Sequence, residues 1–196
     1  MNRLLSSKKW WIAFWSVIFF AVTIPHLAQS GINGYGSFEQ GDPSYWNKSS
    51  EPGGSSLSWA SDEYITLGRS LKITKEATPE AAMWESDNMC DIWSPVHSKD
   101  VDIKIGAWIK TEGVNTNPTT EDEKWYVSYT FMNEAGGLIG EVKLLIDQSV
   151  STSSGWVADT NEVGSLVLPE DSWTTIIRFV GGKDAVGTVW ADEFLL

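Results

Sequence analysis

Nine tryptophans lie beyond residue 30: Trp46, Trp59, Trp84, Trp93, Trp108, Trp125, Trp156, Trp173 and Trp190. Their chemistry is stacking. A flat indole covers the apolar face of a pyranose, although tryptophan is also a commonly buried residue that strands favour. Groups that make and break bonds are sparse by comparison. His97 stands alone in the turn-like Pro95-Val96-His97-Ser98, and Cys90 is the only cysteine. No Gly-x-Ser-x-Gly elbow, His-Glu-x-x-His helix, phosphate-binding glycine loop or metal-spaced Cys/His cluster occurs. The 26 acidic residues supply carboxylate pairs of the kind a glycosidase uses, but their abundance removes any weight from such a pair. No catalytic residue is assigned, and the expectation is a binding protein rather than an enzyme.

The elements that must position these rings are strands. No stretch has sustained helical periodicity; short runs alternate apolar and polar residues between Gly, Pro, Ser, Asn and Asp clusters. Val101–Lys110 sets Val101, Ile103, Ile105, Ala107 and Ile109 on one face and Asp102, Lys104, Gly106, Trp108 and Lys110 on the other, as a period of two demands. The first face is core, so Trp108 falls on the outer one. Trp125–Met132 alternates likewise, with Tyr126, Ser128, Thr130 and Met132 opposite Trp125, Val127, Tyr129 and Phe131. Asn133-Glu134-Ala135-Gly136-Gly137 turns it into a partner strand, Leu138–Ile146, giving a hairpin. Further strands are expected at Gly36–Gln40, around Leu57–Trp59, and at Ser70–Thr74, Ala81–Glu85, Trp173–Val180 and Thr188–Leu195. Ser49–Ser56 reads as a turn and Thr111–Lys124 as an acidic loop. The fold class is all-β: an antiparallel β-sandwich of jelly-roll topology, preceded by an N-terminal signal helix.

That signal occupies residues 1–30. Arg3, Lys8 and Lys9 precede an apolar run from Trp10 to Ile24, and the run stops at Pro25-His26 before the small-x-small triplet Ala28-Gln29-Ser30. Basic, apolar and small-residue regions in this order form the secretory pattern. The 15-residue run falls short of the ~20 residues that span a bilayer; an uncleaved anchor is the competing reading. Cleavage leaves one domain, residues 31–196, secreted to an extracellular or periplasmic space, with no stable membrane insertion afterwards. It also removes three of the 14 basic residues, so 11 oppose 26 acidic ones and the net charge becomes −15. Nucleic acid and anionic membranes need a basic footprint and are excluded as partners. With a single cysteine there is no intrachain disulfide, so the core, a metal, or both must hold the domain.

Four segments, in order, carry a resemblance: Gly36-Ser37-Phe38-Glu39-Gln40-Gly41 followed by Trp46; Gly68-Arg69-Ser70-Leu71-Lys72-Ile73; Ile103–Thr111; and Gly187-Thr188-Val189-Trp190-Ala191-Asp192-Glu193-Phe194. Their order and spacing resemble the β-sandwich carbohydrate-binding modules of families four, nine and twenty-two and the wider galactose-binding-like jelly rolls. The resemblance implies a structural Ca²⁺, with Glu39 matching the acidic residue of the first strand and Asp192 or Glu193 that of the closing strand; Asp42 is a further candidate. Six to eight oxygens from carboxylates and carbonyls suit that ion. It also implies a polysaccharide or oligosaccharide partner held by rings on a sheet face or at loop tips. Trp108 and Tyr126 are the first candidates, since both fall on the polar side of an alternating strand. Trp93, Trp156 and Trp84 are candidate loop platforms, while Trp46, Trp59, Trp173 and Trp190 are assigned to core. The alternative is a calcium-stabilised structural or adhesive jelly roll of the cell surface that binds no sugar.

Overall fold

A computed structural model describes residues 45–65, 68–88, 102–103, 105–159, 166–167, 169 and 171–195. Among these described residues twelve strands form, in chain order: β1 (Trp46–Ser50), β2 (Ser55–Ala60), β3 (Ser70–Lys75), β4 (Ala82–Ser86), β5 (Asp102–Ile103), β6 (Gly106–Glu112), β7 (Trp125–Met132), β8 (Leu138–Leu145), β9 (Val157–Asp159), β10 (Leu166–Val167), β11 (Thr174–Gly181) and β12 (Gly187–Leu195). A one-turn 3₁₀ helix at Glu121–Glu123 precedes β7. Sheet A has the order β1-β4-β11-β7-β8 and sheet B the order β2-β3-β12-β6-β9; β5 and β10 make a separate two-stranded ladder. Every pairing is antiparallel. The antiparallel β-sandwich expected from the alternation is the observed fold. The signal helix and the expected strand Gly36–Gln40 lie outside the described residues.

The core forms where the inward residues of the two sheets meet. Trp84 from β4, Val127, Tyr129 and Phe131 from β7 and Ile177 and Phe179 from β11 pack against Leu57, Leu71, Ile73, Ala107, Ile109, Val189 and Ala191 from sheet B. Two of the largest rings carry a polar tip into this space, and each finds a partner on the opposite sheet. The Tyr129 hydroxyl donates to the Gly106 carbonyl at 2.7 Å and accepts the Gly106 N–H at 3.2 Å. Trp84 Nε1 donates to the Lys72 carbonyl at 3.2 Å. Satisfying these groups removes the penalty of burying them. It also ties sheet to sheet, and burial holds the Tyr129 hydroxyl far above its ordinary pKa.

One expectation needs correction and one is narrowed. Val101–Lys110 is two strands: β5 pairs with β10, whereas β6 pairs with β12 and β9, so the chain changes partner around Ile105. The face assignment within β6 survives the break, with Ala107 and Ile109 buried and Trp108 and Lys110 on the other side. The turn expected over Ser49–Ser56 is present but narrower, confined to residues 51–54 between β1 and β2. An unbroken β12 would place Trp190, Asp192 and Phe194 on one face. The register instead shifts between Asp192 and Leu195, with Glu193 in the left-handed region at φ 47°. This bulge turns Phe194 inward to pack 4.8 Å from Trp46 and leaves Trp190 and Asp192 outward.

Candidate ligand-binding face

Antiparallel register lines up one polar row across all five strands of sheet A. Asn47 on β1 opposes Glu85 on β4, Glu85 opposes Arg178 on β11, Arg178 opposes Ser128 on β7, and Ser128 opposes Lys143 on β8. Each alternates with a core residue of its strand, so all five project from the outer face. One row away lie Met83, Val180, Tyr126 and Leu145; on the other side lie Ile176, Thr130 and Glu141.

The row is preorganised. Arg178 Nε donates to Glu85 Oε2 at 2.6 Å, and Arg178 Nη1 donates to Thr130 Oγ1 at 2.7 Å. Charge-assisted hydrogen bonds of this kind are short and directional. Asn47 Nδ2 donates to Asp87 Oδ1 at 2.6 Å. Between the long side chains of Arg178 and Lys143 the small Ser128 forms a floor. It is 0 % exposed, and its hydroxyl has no hydrogen-bond partner in the protein. The half-buried Tyr126 stands beside this floor with the Lys143 ammonium 5.1 Å from its ring centroid. Burial raises the Tyr126 pKa; the Lys143 charge opposes that rise and Glu141 adds to it. The phenol therefore stays protonated, and a donor, at neutral pH. An exposed cation–π contact is worth only ~0.5–1 kcal/mol, so Lys143 yields the ring to a better-fitting ligand at small cost. The face offers a ring, hydroxyls, a guanidinium and a carboxylate held in place, with no activated nucleophile among them.

The other expected site residues are dispersed. Trp108 projects from the outer face of sheet B, opposite Asp192 on β12 and Ala158 on β9. Trp84 is a core residue and not a loop platform: it points inward from β4 at 3 % exposure with its indole N–H already used. Trp156 is half-buried just ahead of β9. Trp93, Glu39 and Asp42 lie outside the described residues. Asp192 is 0 % exposed; its Oδ1 accepts the Glu193 N–H at 2.8 Å and its Oδ2 accepts the Ile65 N–H at 2.9 Å. A carboxylate is the kind of oxygen ligand that calcium takes, and Glu193 is next to it in the chain. Among the described residues no three His, Cys, Asp or Glu side chains converge as a metal cluster.

Two tryptophans assigned to core are placed differently. Trp190 is buried but faces outward, lying between Lys72 and Lys110 at 4.8 and 5.9 Å from its ring centroid. The chain after β2 folds over it. Asp62 accepts from Trp190 Nε1 at 3.1 Å and pairs with Lys72 at 2.5 Å, while Glu63 pairs with Lys110 at 2.5 Å. Trp173 is 42 % exposed, immediately before β11. The residues that sequence reasoning missed are Glu85, Ser128 and Arg178. Strand parity along β7 put Ser128 outside, but nothing local reveals that residues 85, 128 and 178 become neighbours.

No protein-family model and no curated protein matches the chain. Among solved structures it is similar to the enzymatically active domain of tailspike protein 4 of bacteriophage CBA120, at a TM-score of 0.55 and 16% identity, covering 83% of this chain and 20% of that chain. This chain therefore spans about a fifth of that protein. It is also similar to the family 11 carbohydrate-binding module of a Clostridium thermocellum cellulosomal cellulase (TM-score 0.47, 14% identity, 81% of this chain and 89% of that one). A third is a family 22 xylan-binding domain from Paenibacillus barcinonensis (TM-score 0.44, 13% identity, 82% and 89%). At these identities the likeness to the tailspike domain is one of fold: this chain carries the same kind of β-sandwich.

Proposed function

We propose that the chain is an exported, non-catalytic carbohydrate-binding module whose ligand lies on the outer face of sheet A. The observation that carries this reading is the convergence of Tyr126, Ser128, Arg178 and Glu85 from three strands into one ordered patch. Its hydroxyl floor has no partner in the protein. Magnitudes explain why a ring alone is not enough. Covering ~100 Å² of sugar gains ~2.5 kcal/mol, whereas millimolar binding needs ~4 kcal/mol after association costs. Arg178, Glu85 and the Tyr126 hydroxyl supply the hydrogen bonds that close the difference. Export rests on the secretory pattern of residues 1–30, and a structural calcium at Glu39 and Asp192 or Glu193 belongs to the same proposal.

One observation favours the competing reading, a structural or adhesive domain without sugar binding. The Arg178 guanidinium already bonds to Glu85 and Thr130, as a purely structural network would. Retention of the exported protein on insoluble polysaccharides, with xylan and cellulose as first probes, separates the two. Binding that is lost in both Tyr126→Ala and Arg178→Ala supports the module; no retention on any polysaccharide in a broad screen supports the structural domain.

A further inference from the structure

Four strands lie at the edges of the two sheets, and they differ in length. β1, β2 and β9 have 5, 6 and 3 residues, whereas β8 has 8. A short edge strand is one way in which a protein keeps an open row of backbone groups from pairing with another chain, and β8 lacks that protection. Among the described residues only β7 pairs with it. The ladder shows which of its backbone groups are left over. The Ile146 N–H donates to the Trp125 carbonyl at 2.9 Å, and along an antiparallel ladder the bonded residues recur at every second position. Leu144, Val142 and Gly140 are therefore the residues bonded to Val127, Tyr129 and Phe131, opposite which they lie. Glu141, Lys143 and Leu145 turn their N–H and C=O groups away from β7, to the open side. Their side chains project from the outer face of sheet A. Leu145 is 39 % exposed, and Leu138 at the start of the strand is 67 % exposed.

We infer that β8 pairs antiparallel with β8 of a second copy of this chain, about a two-fold axis at Val142. Face parity and charge select this register. An axis between two residues would set the core side of one strand beside the outer side of the other, so the axis must pass through a residue. Centred on Glu141 the pairing opposes two glutamates, and centred on Lys143 it opposes two lysines. Like charges directly opposite destabilise a sheet. Centred on Val142 it sets Glu141 opposite Lys143 of the second copy, and symmetry repeats the pair on the other side of the axis. Leu145 then comes opposite Ile139, and the open N–H and C=O groups of Glu141 and Lys143 meet as bonded pairs. Within one chain Lys143 lies 3.9 Å from Glu141, both side chains being partly exposed. Such a contact is worth little, so exchanging it for cross-strand partners costs little. The pairing joins two five-stranded sheets into one, with both outer faces on the same side. It follows from the edge alone and holds whatever the outer face binds.

The test is self-association of the exported chain at neutral pH, followed by sedimentation velocity from about 1 µM to about 500 µM. The expected result is a dimer whose fraction rises with concentration. Glu141→Lys and Lys143→Glu each turn two attractive cross-strand pairs into repulsive ones, and each should weaken the dimer about tenfold or more. An equimolar mixture of the two single variants opposes unlike charges again at both pairs, so it should form a heterodimer where neither variant dimerises alone. The double variant Glu141→Lys, Lys143→Glu should likewise regain the homodimer. Amide hydrogen exchange of the unaltered chain gives a readout that needs no variant. The N–H groups of Glu141, Lys143 and Leu145 should exchange more slowly as concentration rises, while those of Val142 and Leu144, already bonded to β7, should not change. A chain that stays monomeric across the whole range overturns the inference. So does a dimer indifferent to both single reversals, or a mixture that associates no better than its components. Edge amides that exchange equally fast in monomer and dimer overturn it too, since the contact would then lie elsewhere on the molecule.

Discussion

Trp108 and Tyr126 stand on opposite outer faces of the sandwich, Trp108 on β6 of sheet B beside Asp192 and Tyr126 on β7 of sheet A beside Lys143. The whole core lies between them, so the two rings cannot stack on one sugar chain. Tyr126→Ala is therefore expected to weaken polysaccharide retention severalfold or more, while Trp108→Ala leaves retention on the sheet-A face unchanged. Affinity electrophoresis of the two variants in gels containing the bound polysaccharide checks this. Equal weakening by both would mean that the binding face is not the outer face of sheet A.

A second expectation concerns the ion pair beneath that face. Arg178 holds Glu85 and Thr130 at once, so Arg178→Met strands a part-buried carboxylate and a buried hydroxyl. The loss should be ~1–3 kcal/mol of stability, accompanied by loss of binding. Glu85→Gln keeps an acceptor opposite Arg178 and should cost less. Urea unfolding at pH 7 measures both; a neutral Arg178→Met would show that the pair contributes little to the fold.

How much of this was legible in the sequence depends on the range of the physics involved. Alternation is local, so the strands of β6, β7, β8, β11 and β12 and the outward side of Trp108 and Tyr126 could be read directly. Which outer face each residue occupies depends on strand order, fixed by pairings between segments far apart in the chain, and no spacing reports that. The Glu193 bulge is invisible for a related reason. A glutamate at φ 47° has no intrinsic preference for the left-handed region; tertiary contacts accompany it, with Phe194 packed on Trp46 and the Glu193 N–H held by Asp192. Trp84 and Trp173 show that ring identity says nothing about depth. The first fits the core because its N–H reaches the Lys72 carbonyl, while the second precedes β11 and stays out.

The outward but buried Trp190 gives a pair of predictions of unlike size. Trp190→Ala removes a ring clasped by Lys72, Lys110 and the segment carrying Asp62 and should cost ~3–5 kcal/mol. Asp62→Asn touches only an exposed partner and should cost ~1 kcal/mol or less at neutral pH. Burial pushes the Asp62 pKa up, but hydrogen bonds from Lys72 and Trp190 and the Lys72 charge outweigh it and hold the carboxyl below its ordinary value. A depressed folded-state pKa contributes stability above the unfolded value of ~3.9 and loses it as pH falls through the folded value. The wild type should thus lose more stability than Asp62→Asn between pH 5 and pH 3. Parallel urea midpoints across that range decide it.

Gly182 tests close approach rather than charge. A Cβ there would meet the Asp122 carbonyl oxygen at 2.3 Å and the Lys124 carbonyl oxygen at 2.7 Å, and its own N–H donates to that Lys124 carbonyl at 3.0 Å. Neither obstacle is a flexible side chain. Gly182→Ala must therefore displace the backbone between Glu121 and β7, at ~2 kcal/mol or more. Gly53→Ala, with nothing within 4 Å, should be close to neutral. Thermal melts of the two variants should differ by several degrees.

Calcium is best tested through the part of stability that responds to the ion. Asp192 holds the Ile65 and Glu193 N–H groups, so replacing it destabilises the fold whether or not a metal binds. A bare loss of melting temperature in Asp192→Asn therefore means nothing by itself. The informative quantity is the difference between melts with calcium and with chelator. For the wild type it should reach ~2.7 kcal/mol when calcium is a hundredfold above its dissociation constant. In Asp192→Asn the carboxamide oxygen still accepts an N–H but the charge is gone, and in Glu39→Ala a ligand is lost outright. In both, the calcium-dependent increment should collapse. A wild type that melts identically in chelator has no structural calcium. An increment that survives intact in Asp192→Asn places the ion on other oxygens, with Glu193 the first to be replaced next.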